Sequence, residues 1–199
     1  LLILKYINNN SKMLVTEQTI LESPDIYKYL GGNEDLMIEI FSNPELWAGL
    51  HKRIYNEYKD DPKYIECSVK YKTLYESLAP NDSQIYFKLT TYNNISKKFE
   101  YKTGLNVDTN EFNPSGCCSG GGLYFCKLED LYQFKSYGDY LTPIIIPKDI
   151  PVYQELHTEK CNCNNEYKKL KAPCVYALPR FRIDNQKINN YDRRRSKNH

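Results

Sequence analysis

The stretch from Phe112 to Tyr153 reads FNPSGCCSGGGLYFCKLEDLYQFKSYGDYLTPIIIPKDIPVY, and it decides the fold. A glycine-dense turn runs into a short apolar strand, Leu123 to Cys126, and a helical segment follows from about Leu128 to Tyr137. Ile144 to Ile146 is a continuous β-branched run, which is typical of a buried strand. The order of turn, strand, helix and strand predicts a compact region that combines sheet with a little helix.

Apolar alternation extends this region on both sides. Further strands are predicted at 84–89, 97–102, 104–108, 152–153 and 174–178. The segment from His157 to Lys171 is rich in Cys, Asn and Lys and predicts a loop, and the polar residues from Arg180 onward predict a mobile tail. We therefore expect residues 84–178 to form a mostly antiparallel β domain with one or two helices.

The first part of the chain has a helical pattern instead. Ser23-Pro24, Asn43-Pro44 and Asp61-Pro62 each combine a capping side chain with proline at the first helical position. The apolar residues that follow the last two caps have helical spacing: Leu46, Trp47, Leu50, Ile54 and Tyr58, then Ile65, Val69, Leu74 and Leu78. The predicted fold class is α+β, with a weakly ordered leader at 1–12, a helical module at 13–80, the β domain at 84–178 and a polar basic tail at 179–199.

Composition narrows the classes of function. The chain has 199 residues and a formal net charge of +2, which predicts no general binding to nucleic acid. The apolar run Leu1 to Leu4 is too short for a secretion signal or a membrane span, so we expect no membrane partner. Seven cysteines without such a signal favour an intracellular protein with reduced thiols.

Residues 24–78 resemble an F-box and the segment that follows it. The likeness lies in Pro24 to Leu30, Asp35-Leu36, Leu46 to Arg53 and Tyr71 to Tyr75. The resemblance implies docking on a host Skp-type adaptor, with Pro24, Ile26, Leu30 and Leu36 as apolar anchors. The first helix is short and the segment before Trp47 is compressed, and an ordinary helical bundle would give the same pattern.

Residues 84–178 resemble a domain of unknown function that recurs in giant amoebal virus proteins beside ankyrin repeats, pentapeptide repeats or F-boxes. The matching residues are Tyr101-Lys102-x-Gly104-Leu105-Asn106, Phe112-Asn113-Pro114, Gly121 to Phe125, Tyr137-Gly138, Ile146-Pro147-x-Asp149, Val152-Tyr153 and Lys169-x-Lys171-Ala172. The resemblance implies a mimivirus-like accessory protein. No period of 20 to 50 residues is visible, so we expect no repeats within this chain.

The glycine turn is a candidate ligand site. Backbone N–H groups of Gly120, Gly121 and Gly122 are of the kind that can hold a phosphate. However, the turn lacks the Gly-Lys-Ser/Thr step of a phosphate loop, and it precedes a strand rather than a helix. The alternative is a tight turn that brings backbone close to a neighbouring strand.

The Gly-x-Tyr-Phe step at Gly122 to Phe125 resembles the ADP-ribosyltransferase fold, in which a tyrosine stacks on nicotinamide. The resemblance implies NAD as the ligand, Tyr124 at its ring and Glu155 as the late glutamate that polarises the ribose. The first strand of that fold also supplies a histidine or arginine, and Ile85 to Lys88 contains neither. The fold without the catalysis is therefore an alternative.

A third candidate is a zinc site. His157, Cys161, Cys163 and Cys174 carry an imidazole and three thiols, the donors that tetrahedral zinc prefers. The Cys-x-Cys step matches no standard zinc module, and reduced thiols in a loop are the alternative.

Taken together, the residues predict a non-catalytic F-box-like adaptor that links an unknown target to the host ubiquitin-ligase machinery. An ADP-ribosyltransferase-like enzyme or NAD-binding relic at Tyr124 is the second hypothesis, and a structural or virion-associated protein is the third. No cofactor is predicted for the adaptor, and we expect it in the host cytoplasm or nucleus, with the virion as an alternative location.

Overall fold

The computed structural model describes residues 4–8, 11–15, 39–78, 84–93, 95–96, 99–116, 118, 120–155 and 168–183. After a pair of strands within residues 4–15, helices occupy residues 44–78, and strands dominate from residue 86 onward. Every strand pairing in these ranges is antiparallel. The predicted α+β class is therefore confirmed.

Helix α1, Pro44–Tyr58, begins where the sequence predicts. The side chain of Asn43 accepts hydrogen bonds from the backbone N–H groups of Glu45 and Leu46, at 3.1 and 3.2 Å, which satisfies two donors that the first turn leaves open. The predicted apolar face is buried at all five positions: Leu46, Trp47, Leu50, Ile54 and Tyr58. Trp47 also donates its indole N–H to the carbonyl of Phe41.

The next helical stretch divides into α2, Pro62–Lys70, and α3, Lys72–Leu78, at Tyr71. Its inward face differs from the expected one. Tyr64 and Cys67 are buried, whereas Ile65 and Val69 are 45% and 71% exposed. The helix turns its tyrosine inward because the Tyr64 hydroxyl finds a backbone partner in the β region, so the large ring can be buried with its polar atom satisfied.

Five strands form the main sheet: β3, Tyr86–Thr90; β6, Gly104–Val107; β8, Tyr140–Ile145; β11, Cys174–Ala177; and β12, Phe181–Arg182. The order is β12-β8-β11-β6, and β3 pairs with β8. Ile144, Ile145 and Val175 are fully buried, as the β-branched run predicts. The tail prediction was wrong at its start, because Phe181 pairs with Leu141 and is buried.

A second sheet has three strands: β7, Leu123–Phe125; β9, Tyr153–Gln154; and β10, Leu170–Ala172. The central strand is β10, which pairs with β7 on one side and β9 on the other. The N–H of Glu155 donates to the carbonyl of Lys169 at 2.9 Å and extends the β9–β10 pairing. The loop predicted up to Lys171 was wrong for residues 170–171, which lie in the middle of this sheet.

A 3-10 helix, Leu128–Tyr137, occupies the predicted helical segment between β7 and β8. The remaining strands of the described residues form two short antiparallel pairs: β1, Leu4–Asn8, with β2, Ser11–Val15, and β4, Ile95–Ser96, with β5, Phe99–Glu100. Residues 13–15 therefore lie in a strand rather than in the helical pattern expected from Met13.

The helices and the main sheet share one apolar core, in which Phe41 packs edge-on against Phe87 at a ring-centroid distance of 4.8 Å. Tyrosine hydroxyls of the helices also form hydrogen bonds to the backbone of the β region. The N–H of Lys148 donates to Tyr58 at 2.9 Å, and Tyr64 donates to the carbonyl of Lys148 at 3.1 Å. Burial raises the pKa of Tyr58 to about 12. The division at residue 80 stays a prediction about domains, and residues 39–78 and the β region pack as neighbours in this core.

Candidate functional site

The candidate site lies on one face of the three-stranded sheet. Register places Lys171 directly between Tyr124 on β7 and Tyr153 on β9, so the three side chains form a row across the strands. The ammonium of Lys171 lies 5.6 Å from the ring centre of Tyr124 and 5.5 Å from that of Tyr153. Both separations are within the range of a cation–π interaction, so two tyrosine rings flank one buried cation.

Glu155 brings a carboxylate to this row. The hydroxyl of Tyr124 donates to Glu155 Oε1 at 2.6 Å, and Lys171 Nζ lies 3.9 Å from the same oxygen. The side chains of Glu155 and Lys171 are both 0% exposed. Burying the two charges is tolerable because each faces its opposite, and the short hydrogen bond adds to the compensation.

The glycine turn packs over this group. A side chain at Gly122 would begin 3.2 Å from Lys171 Cδ and 3.0 Å from the ring of Phe112, so glycine leaves the room that the lysine stem uses. A side chain at Gly121 would begin 1.8 Å from the carbonyl oxygen of Glu111. Both glycines have positive φ, 80° and 103°, which a residue with a side chain rarely adopts.

The N–H of Gly122 donates to Asp108 at 2.6 Å, so this member of the candidate ligand turn already has an anionic partner inside the chain. Around Gly120 a side chain would meet no atom within 4 Å. The backbone of the turn therefore lies close to a neighbouring segment. This is the alternative to a phosphate site that the sequence predicts. A ligand at Gly120 to Gly122 stays a hypothesis.

Tyr124 and Glu155, the residues of the enzyme hypothesis, are in direct contact. Their arrangement differs from the one that ribosyl transfer needs, in which the tyrosine ring stacks on nicotinamide and the glutamate faces the ribose. Here the ring faces the Lys171 ammonium, and Glu155 Oε1 is shared by a hydroxyl and an ammonium. These polar contacts hold β7, β9 and β10 together.

The lysine of this group was missed as a site residue. Lys171 stands in a stretch of Lys and Asn that predicts a loop, and only the resemblance to the viral domain, through Lys169-x-Lys171-Ala172, marks it. The sequence gives no further sign that it is buried, because the partner carboxylate lies on another strand.

Of the predicted zinc ligands, Cys174 is described. It lies on β11 with its thiol hydrogen-bonded to Cys67 of α2, and burial raises its pKa well above the usual value. A protonated, buried thiol is a poor zinc ligand. His157, Cys161 and Cys163 lie outside the described residues, and no cluster of metal-binding side chains occurs within them. The four-residue zinc set therefore stays a prediction.

The adaptor-binding anchors Pro24, Ile26, Leu30 and Leu36 also lie outside the described residues. Two parts of the F-box resemblance are described: Leu46 to Arg53 lies within α1, with Leu46 and Trp47 turned into the core, and Tyr71 to Tyr75 lies at the start of α3. Within the described ranges, no helix combines the length and the apolar character needed to cross a bilayer.

Comparison with known proteins finds relatives in Acanthamoeba polyphaga mimivirus. A "Putative ankyrin repeat protein" is 35% identical over 74 residues, which cover 36% of this chain and 37% of that protein. An "Uncharacterized protein" is 36% identical over 73 residues, 36% of this chain and 53% of that protein. Another "Putative ankyrin repeat protein" is 32% identical over 78 residues, 36% of this chain and 25% of that protein.

These similarities indicate that the chain comes from a giant virus. The chain matches between about a quarter and about half of the length of each of them. No protein-family model matches the chain, and no solved structure matches it.

Proposed function

We propose that this protein is a non-catalytic interaction module of a giant virus, which links a target protein to the host ubiquitin-ligase machinery. The relatives named as ankyrin repeat proteins support an interaction role, because such repeats build extended binding surfaces. The F-box resemblance of residues 24–78 supports a Skp-type adaptor as one partner. The host cytoplasm or nucleus, where that machinery works, is the proposed location.

The observation that carries the non-catalytic part is the burial of Glu155. Its side chain is 0% exposed, and its Oε1 contacts both Tyr124 and Lys171, so a substrate would have to open the fold and disturb this buried ion pair to reach the carboxylate. Breaking such a pair is costly, because it leaves an uncompensated charge in the interior.

The packing of α1 supports a role in which two partners are held in fixed relation. Its five core residues pack into the same apolar core as the main sheet. A target bound on the β region would therefore keep its orientation relative to an adaptor bound on the helical side.

Co-purification from host lysate with the Skp-type adaptor tests the proposal. We expect the wild-type chain to retain the adaptor, and the variants Ile26→Asp and Leu30→Asp to lose it, since a charge on an apolar anchor prevents docking. Val69→Asp is the matched control, because Val69 is 71% exposed on a helix outside the proposed anchors. Absence of the adaptor from the wild-type sample, or equal loss in the control, would reject the adaptor role.

The contact between Tyr124 and Glu155 favours one second candidate, an NAD-binding site related to ADP-ribosyltransferases. Incubation with labelled NAD and a thermal-shift titration with NAD test it. Label transfer or a stabilisation by NAD, abolished by Glu155→Gln, would replace the adaptor proposal with an enzymatic one. Because of the buried ion pair, we expect neither.

A further inference from the structure

A cleft of about 60 Å³ lies on the side of β3 and β7 that the 3-10 helix covers. Its walls are mostly apolar and include Leu89, Phe125, Phe134 and Tyr137, and Cys118 and Lys169 also line it. Tyr137 is 48% exposed, so its ring lies at the mouth of the cleft that it lines. The cleft thus offers an apolar interior that is open to solvent.

The cleft holds about five water-sized atoms, since one water needs roughly 10–15 Å³ of such space. That room suits a short aliphatic chain or a single ring. It is too small for a dinucleotide, so the ligand it fits is not the one expected for the enzyme hypothesis.

The charge of the cleft comes from lysines in different situations. Lys88 is buried, donates to the carbonyl of Tyr124 at 2.8 Å and lies 4.4 Å from the ring centre of Tyr101, so its ammonium is engaged within the fold. Lys169 donates to the sulfur of Cys118 at 3.2 Å. Among the described residues Lys169 has no carboxylate partner, and a thiol is a weak acceptor, so an anion at the cleft would be a stronger partner for this ammonium than Cys118 is.

The wall formed by Phe134 and Tyr137 is fixed in place by the residue that follows it. Gly138 has a φ of 143°, and a side chain there would begin 2.0 Å from the carbonyl oxygen of Thr90. The end of the 3-10 helix can therefore lie directly against the end of β3, which holds both rings beside Leu89. A preformed apolar wall of this kind lowers the entropy cost of binding.

We propose that this cleft binds a small carboxylate with an apolar body of about five carbon atoms. The body lies against Leu89, Phe134 and Tyr137, and the carboxylate pairs with the ammonium of Lys169. Of the two described lysines that line the cleft, Lys88 is engaged within the fold, and the single charge of Lys169 matches a carboxylate better than a doubly charged phosphate. The cleft would bind such a ligand whether or not residues 24–36 contact an adaptor.

Hexanoate is the probe, and 1-hexanol provides the same apolar body without the charge. Titration of the full chain is followed by chemical-shift changes in ¹H–¹⁵N spectra. We expect hexanoate to shift amides of β3, β7 and the 3-10 helix, and to bind about tenfold more tightly than hexanol, as a charge-assisted contact predicts. Hexanoate at roughly 20 times a millimolar Kd would nearly saturate the site, so the absence of localised shifts at that concentration would overturn the proposal.

Two variants assign the binding to the named residues. Lys169→Met should weaken hexanoate about tenfold and leave hexanol unchanged, and Tyr137→Ala should weaken both. Lys168→Met is the matched control, since it removes the same charge from an exposed neighbour that does not line the cleft. If Lys168→Met weakens hexanoate as much as Lys169→Met does, the attraction is a general charge effect and the proposed site is wrong.

Discussion

The two larger sheets of this protein bury their central strands by different means. In the five-stranded sheet, β8 and β11 contribute Ile144, Ile145 and Val175, which are fully buried and carry no polar side-chain atoms. In the three-stranded sheet, the central strand contributes Lys171, which is equally buried but charged. The first sheet is stabilised by removing apolar surface from water, and the second also depends on a specific set of polar partners.

This difference teaches how each sheet should respond to substitution. When an apolar side chain is shortened, the protein loses stability in proportion to the buried atoms removed, and a second substitution nearby does not restore that stability. A buried ion pair behaves differently, because losing one member is worse than losing both.

The largest effect is expected for Lys171→Met. Without the ammonium, Glu155 keeps a buried charge that no cation compensates, so the free energy of unfolding should fall by about 4 kcal/mol. Urea denaturation followed by circular dichroism measures it. The double variant Lys171→Met with Glu155→Gln should recover most of the loss, since glutamine is neutral and still accepts from Tyr124. A double variant as unstable as the single one would show that charge is not the cause.

Ile145→Ala tests the apolar sheet. Removing three carbon atoms from a fully buried side chain should lower the free energy of unfolding by about 3 kcal/mol, through lost burial and the cavity that remains. Ile65→Ala makes the same change at a position that is 45% exposed and should cost about 0.5 kcal/mol. Equal losses at the two positions in urea denaturation would contradict the placement of the core.

Tyr124→Phe removes one polar contact of the three-stranded sheet and keeps both charges. Glu155 then loses its 2.6 Å hydrogen bond but keeps Lys171, so we expect a loss of about 1.5 kcal/mol. A cycle with Lys171→Met measures the coupling between the two contacts. Strict additivity of the two losses would mean that hydroxyl and ammonium act on Glu155 independently.

A last effect appears only at high pH, on the alkaline limb of the pH–stability curve. The pKa of Tyr58 is about 12 in the folded protein against 10.0 for an ordinary tyrosine, because burial disfavours the anion. Its contribution to stability is full below pH 10 and is lost as pH rises to 12, since the unfolded chain releases the proton first. In Tyr58→Phe the free energy of unfolding should fall less steeply over this interval. An unchanged slope would assign the alkaline loss to other groups.

Local chemistry predicts much of the fold. Helix α1 follows from Asn43, Pro44 and the spacing of Leu46 to Tyr58, all of which act within a few residues of one another. The buried strand at Ile144 follows in the same way from a β-branched run. The inward face of α2 could not be predicted, because Tyr64 and Ile65 are both apolar enough for a core and the choice depends on the distant carbonyl of Lys148.

The candidate site shows the same limit. Tyr124 and Glu155 could be named from a resemblance, but their contact depends on β10 lying between β7 and β9. That strand was missed because a lysine is rarely placed at the centre of a sheet. Lys171 can stay there only because a carboxylate reaches it from residue 155, and such long-range pairing leaves no local pattern in the sequence.

The hydrogen bond between the N–H of Glu155 and the carbonyl of Lys169 has a practical consequence for protein engineering. It holds the two ends of the connection from β9 to β10 side by side, whatever number of residues joins them. Lengthening the chain between two ends that are already held together is inexpensive, since each doubling of its length costs only about 0.6 kcal/mol in closure entropy. An epitope tag or a fluorescent reporter inserted between residues 156 and 167 should therefore leave both sheets intact, and it would provide a handle for capture experiments without altering either terminus.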